Sequence, residues 1–359
     1  MNAYMINLIV ISVGLASTLI VLFLIPEKQP KIKNENETSI AKWKEITLGH
    51  YKQWISIRGR NRDAPVLLFL HGGPGTPETP FLIKYNSYLE DRFVVASWEQ
   101  RGAGKSFSKD TPPETMNITQ FISDTHELTQ YLKKEFGKSK IYLMGHSWGT
   151  LIGIKTAHKY PDDYYAYIAI AQTSDGHKEE SLTYKQILEQ ARLKGHNKAI
   201  KELERIGAPK KGKYFGGDNS LGIKLKWVRY FGGAAFHDQT SIWPLIRDVL
   251  TTPIYTLREK LNYPRGEAFS IKYLYDDVRD IKLMEKIKVI KVPMFFLHGS
   301  FDNQVPLTVA QEFFHSILAV QKKFYIFNES AHGVLFEEPE KFQKVIEEIY
   351  SITTVEAKS

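Results

Sequence analysis

The feature that most constrains this 359-residue chain is a five-residue turn, Gly145-His146-Ser147-Trp148-Gly149, set between a strand and a helix. Ile141–Met144 before it is a continuous apolar run, too short for a helix and typical of a strand covered on both faces. The segment from about Thr150 to Tyr160-Pro161 reads as a helix. A chain that passes from strand to helix so abruptly holds its central serine in a strained backbone conformation. Glycines on either side remove side chains that would collide with the adjoining elements.

The same buried-strand pattern recurs at Val66–Leu70, Phe93–Trp98, Tyr167–Ala171, Met294–Leu297 and Phe324–Phe327. Amphipathic helices lie between several of these runs. Phe121, Thr125, Leu128 and Leu132 recur at helical spacing, and Val309–Leu318 and Pro339–Tyr350 also read as helices. Lys44–Leu48 and Tyr51–Arg58 read as antiparallel strands joined through Gly49-His50. The fold class is therefore α/β: a mostly parallel sheet flanked by helices on both faces. One stretch, 176–288, breaks the alternation and reads as helices and loops. It is expected to be an inserted helical lid over the carboxyl ends of the strands, where open α/β sheets bind ligands. The core is then 43–175 together with 289–359.

A serine hydroxyl becomes nucleophilic when a neighbouring base takes its proton. Among eleven histidines, His332 alone combines a loop after the last buried strand with a position before the last helix. His71 and His298 precede glycines in turns and suit packing or backbone bonding better. The base needs a carboxylate to orient it. Asp302 follows the strand Met294–Leu297, and Asp175 follows Tyr167–Ala171 as the alternative. The order Ser147, Asp302, His332 favours Asp302. The glycine-rich His71-Gly72-Gly73-Pro74-Gly75 follows Val66–Leu70, and the backbone N–H groups of Gly73 and Trp148 are the expected donors to a developing oxyanion. No Gly-Lys-Ser/Thr follows that loop, which argues against a phosphate loop.

These pieces resemble the prolyl aminopeptidase (proline iminopeptidase) branch of the α/β-hydrolases. The matching segments are HGGPG at 71–75, Trp98-Glu-Gln-Arg-Gly-Ala-Gly-Lys-Ser106, GHSWGT at 145–150, Gly299-Ser-Phe-Asp302 and Ala331-His-Gly333. The resemblance spans roughly 44–350 and implies removal of an amino-terminal, often proline, residue from a short peptide, with no metal and no cofactor. Family members often carry Asp-Gln-Arg-Gly where this chain has Glu99-Gln100-Arg101-Gly102. The family also holds the substrate's amine with acidic lid residues, and Glu180 is the expected one here. Relatives with the same motifs hydrolyse small-molecule esters and other amides, so a carboxylesterase or amidase is the alternative. A ligand-binding protein on the same fold is a remoter one.

The amino terminus differs from the rest. Met1 to Pro26 has no charged side chain, and Ile6 to Ile25 is almost continuously apolar. Twenty helical residues span about 30 Å, the thickness of a bilayer's hydrocarbon core. No basic region precedes the run and no cleavage site is evident, so a membrane anchor over 1–26 is expected rather than a cleaved signal or a buried helix. Residues 27–42 are polar and read as a linker. The net charge of +8 is scattered rather than striped, which argues against nucleic acid as a partner. With no cysteine, disulfides and thiolate chemistry are excluded.

Overall fold

The computed structural model describes residues 27–238 and 241–356. Eight strands form one sheet: β1 (Ile40–Leu48), β2 (Tyr51–Gly59), β3 (Val66–Leu70), β4 (Val94–Glu99), β5 (Ile141–His146), β6 (Tyr164–Ile170), β7 (Met294–Gly299) and β8 (Lys322–Phe327). Their spatial order is β1-β2-β4-β3-β5-β6-β7-β8. The hairpin β1–β2 joins β4 antiparallel, and every pairing from β4 to β8 is parallel.

Strand β3 shows why short apolar runs belong here. Val66, Leu68 and Leu70 point into one core, beneath α1 (Ile118–Glu135) and α2 (Trp148–Lys159). Leu67 and Phe69 point into the core on the opposite face, which also holds Phe342, Ile346 and Ile349. A side-chain period of two with helices on both faces requires apolar residues at every position.

Between β6 and β7 the described residues make five long helices, α3 (Gly176–Leu193), α4 (Asn197–Ile206), α5 (Gly217–Tyr230), α6 (Trp243–Thr251) and α7 (Leu257–Arg279), and a single turn of helix at Leu283–Lys286. The first three bury a small core of their own, with Tyr184, Ile187, Leu203, Trp227 and Val228. Beyond them, α8 (Leu307–Ser316) and α9 (Pro339–Glu356) flank the last two strands.

The stretch expected as a free linker is partly packed. The Lys28 N–H donates to the Pro253 carbonyl at 2.8 Å, and Arg58 Nη1 donates to Gln29 Oε1 and the Pro30 carbonyl. Ile32 is buried, and β1 already begins at Ile40. Polar composition concealed this because the strap is held mainly through its backbone. The expected membrane anchor, 1–26, lies outside the described residues. Among the described residues no helix is long and apolar enough to cross a membrane.

Just after β4, Arg101 and Asp124 form a buried ion pair at 3.0 Å. The guanidinium also donates to the Leu48 and Gly49 carbonyls, which ties the β1–β2 turn to α1. Removing one partner of such a pair strands the other without compensation, at about 3–5 kcal/mol. Arg101→Met should lower unfolding free energy by that amount, read as a fall in the denaturant midpoint.

Candidate active site

Strand β5 ends at His146, and α2 begins at Trp148, so Ser147 is the whole turn. Its φ is +51° with ψ −118°, a conformation that costs a non-glycine residue on the order of 1–3 kcal/mol. Close packing holds it there. A methyl group at Gly149 would overlap the Leu70 carbonyl oxygen, and one at Gly145 would lie 2.6 Å from the Gly149 carbonyl oxygen. The Ser147 N–H donates to the Ile170 carbonyl at 2.9 Å, and Thr150 Oγ1 donates to the Ser147 carbonyl at 2.6 Å. The amino-terminal end of α2 thus begins beside the serine, where unpaired amides favour negative charge.

The loops after β7 and β8 bring together the two residues expected as acid and base. His332 Nδ1 donates to Asp302 Oδ2 at 2.8 Å. Asp302 Oδ1 accepts from the Gln304 and Val305 N–H groups at 2.8 and 2.9 Å. Burial alone would raise this carboxyl, but the imidazole of His332 and these donors hold it below the usual carboxylate range. Asp302 is therefore an anion whose lone pairs are satisfied, and it fixes the His332 tautomer with Nε2 free to accept. The rival carboxylate, Asp175, is occupied elsewhere: it caps α3 by accepting from the Lys178 N–H at 3.0 Å.

The glycine-rich loop closes the third side. A methyl at Gly72 would lie 3.3 Å from Ser147 Cβ, so this loop lies against the serine. Gly73 has φ +111°, a conformation that glycine tolerates and other residues rarely adopt. The Gly72 N–H is engaged by Glu78 Oε2 at 3.2 Å. Gln100 braces the loop from β4: its N–H donates to His71 Nε2, its amide donates to the His71 carbonyl, and its Oε1 accepts from Trp148 Nε1. His71 and His298 do bond backbone, to the Gly72 and Val305 carbonyls.

Sequence reasoning missed the groups that join these loops. Glu78 Oε1 lies 2.6 Å from His146 Nδ1, and His146 Nε2 donates to the His332 carbonyl at 3.0 Å. Glu337 accepts from the Ala331 N–H at 2.7 Å and from the His237 N–H at 2.5 Å, bridging the base loop to the helical insertion. Burial pushes its carboxyl up to about 7. The insertion touches the site again where the His332 N–H donates to the Ala234 carbonyl and the Asn303 N–H to the Gly233 carbonyl. Nothing in the sequence around Glu78, three residues past HGGPG, marks its tie to His146.

Glu180, expected to meet a cationic substrate group, is already paired. Lys224 Nζ lies 2.8 Å from its Oε1, and the Tyr214 hydroxyl donates to its Oε2 at 3.2 Å. Helix α7 lies against the glycine-rich loop, where a methyl at Gly75 would lie 2.9 Å from the Gly266 carbonyl oxygen, and it carries Glu267 toward Thr76. Burial raises its carboxyl. Among the described residues no group of three or more histidines and carboxylates is placed to hold a metal ion.

With this geometry in view, residues 65–193 match the sequence profile of the α/β-hydrolase fold family. The chain is 34% identical over 323 residues to the probable aminopeptidase YbaC of Bacillus subtilis, covering 90% of this chain and 98% of that one. It is 27% identical over 312 residues to the proline iminopeptidase of Saccharolobus solfataricus, covering 85% and 91%. The crystal structure of a proline iminopeptidase from Mycobacterium smegmatis superposes with a TM-score of 0.63 at 16% identity, over 88% of this chain and 100% of that one, a likeness of fold. The strand order, the turn at Ser147 and these relatives place the chain in the α/β-hydrolase family, within its prolyl-aminopeptidase-like branch.

Proposed function

We propose that the protein is a serine aminopeptidase that removes an amino-terminal, proline-type residue from short peptides through an acyl-enzyme on Ser147. The observation that carries this reading is the 2.8 Å bond from His332 to a buried, ionised Asp302, on loops meeting the turn that presents Ser147. His332 Nε2 takes the serine proton as Oγ adds to the scissile carbonyl, and Asp302 stabilises the imidazolium that results. The Gly73 and Trp148 N–H groups receive the oxyanion; one such donor contributes about 3 kcal/mol to transition-state stabilisation. His332 then protonates the departing amine, and water releases the acyl group by the same route in reverse.

The helices of 176–288 act in this reading as a lid, and Glu267 supplies the acidic group that holds the substrate's free amine. It lies against the glycine-rich loop, whereas Glu180 is neutralised by Lys224. Residues 1–26 anchor the enzyme in a membrane. The first described residues suit a tether that leaves beside the lid, because Lys28 bonds Pro253 at the end of α6, where Trp243, Ile246 and Leu250 are exposed.

Ser147→Ala should abolish labelling by a fluorophosphonate probe, and labelling at another serine would refute the assignment. Asp302→Asn should lower kcat about 10⁴-fold, the effect of losing the correct tautomer in serine proteases, with an unchanged denaturation midpoint. Glu267→Gln should raise KM for a proline arylamide about 10–100-fold, the worth of a charge-assisted hydrogen bond, while leaving turnover of a short acyl ester unaffected. If the wild type prefers the ester, the enzyme is a carboxylesterase instead. Full-length protein should stay in the membrane pellet after alkaline carbonate extraction; release into the supernatant would remove the anchor.

A further inference from the structure

The four buried histidines around the site differ in what their ring nitrogens face. His71 donates from Nδ1 to the Gly72 carbonyl and accepts the Gln100 N–H at Nε2, so its ring carries one proton and is neutral. His298 donates from Nε2 to the Val305 carbonyl and has no hydrogen-bond partner at Nδ1, which again makes a neutral ring. His332 offers one N–H to Asp302. His146 is different: Nδ1 faces the Glu78 carboxyl at 2.6 Å, and Nε2 faces a carbonyl oxygen, that of His332, at 3.0 Å.

A carbonyl oxygen only accepts, so Nε2 of His146 must carry a proton. The second proton, between Nδ1 and Glu78 Oε1, goes to the stronger base, which for imidazole against carboxylate is the ring. Glu78 is then an anion, and its other oxygen accepts from the Gly72 N–H. We propose that Glu78 and His146 form a buried carboxylate–imidazolium pair that positions the glycine-rich loop, the serine turn and the base loop, and holds a fixed positive charge beside His332. This rests on the proposed role of His332 as base.

The placement is specific. The His146 and His332 rings are 5.0 Å apart between centroids, and His146 immediately precedes Ser147. The charged and titratable groups that act on His146 or on its partner come from every side: Glu78 and His71 from the glycine-rich loop, Asp302 and His298 from the β7 end, His332 from the β8 loop, and Tyr263 from α7. Phe336 packs edge-on and adds no charge. Burial disfavours a cation at His146, but Glu78, with the His332 carbonyl and Asp302, more than offsets it and raises the ring's affinity for its proton. With His332 neutral, the cluster holds two anions and one cation. Without the His146 cation it would hold two anions alone.

The test uses full-length protein in detergent, with ¹⁵N-labelled histidine, titrated by NMR alongside fluorophosphonate inactivation rates as a function of pH. One imidazolium with protons on both nitrogens should persist at a pH where free imidazole has lost its charge. It should vanish in His146→Gln and lose that persistence in Glu78→Gln. If every histidine of the wild type is neutral there, the pair is overturned, whether or not either variant folds. In His146→Gln the acid limb of the inactivation profile should move up in pH, because removing a neighbouring cation favours protonation of a base. An unmoved limb in a folded variant would reduce the pair to scaffolding and overturn its electrostatic role. Failure of the wild type to react with the probe would sink the serine mechanism, while the histidine titration would still decide the pair.

Discussion

The site depends on one close approach: the backbone of Gly149 against the carbonyl of Leu70. That contact brings the first turn of α2 onto the end of β3, and it is possible because no side chain stands between them. The strained φ of Ser147 follows from it, since strand and helix must meet within one residue. The cost is met by the packing on both faces of β5 and by bonds from Ser147 and Thr150 to fixed neighbours. The glycine-rich loop at the end of β3, the strand beside β5, then lies against the serine, with Gly72 within van der Waals reach of Ser147.

Around that turn the structure uses carboxylates as ties between chain segments far apart in sequence. Asp302 holds His332, Glu78 joins Gly72 to His146, and Glu337 joins Ala331 to His237. Each satisfies backbone or imidazole donors in a setting from which water is largely excluded, where such bonds are strong and their loss costly. The helical insertion is part of this network. Gly233 and Ala234 accept from the Asn303 and His332 N–H groups, so any movement of the insertion is coupled to the position of His332.

Strands such as Val66–Leu70 and Met294–Leu297 were legible because a sheet covered on both faces demands unbroken apolar runs, and few other contexts do. The triad candidates were legible because strand-end loops have a fixed place in a parallel sheet. The pairing of Glu180 was hidden for a physical reason: a glutamate on a helix gives no sign in sequence of the lysine 44 residues away that neutralises it. The approach of Glu267 to Thr76 was hidden as well, since it depends on how α7 crosses the loop. The strap at 27–33 was hidden because backbone hydrogen bonds leave no mark on composition.

By itself the sequence determined the order of strands and helices, the serine turn and the loops bearing Asp302 and His332, because apolar periodicity and glycine placement act over a few residues. Tertiary structure alone decided which carboxylate meets His332, that Asp175 serves as a helix cap, that Glu180 pairs with Lys224, and that both nitrogens of His146 face acceptors. Those outcomes depend on distances between residues up to 186 positions apart, which only the packed sheet and its crossing helices fix.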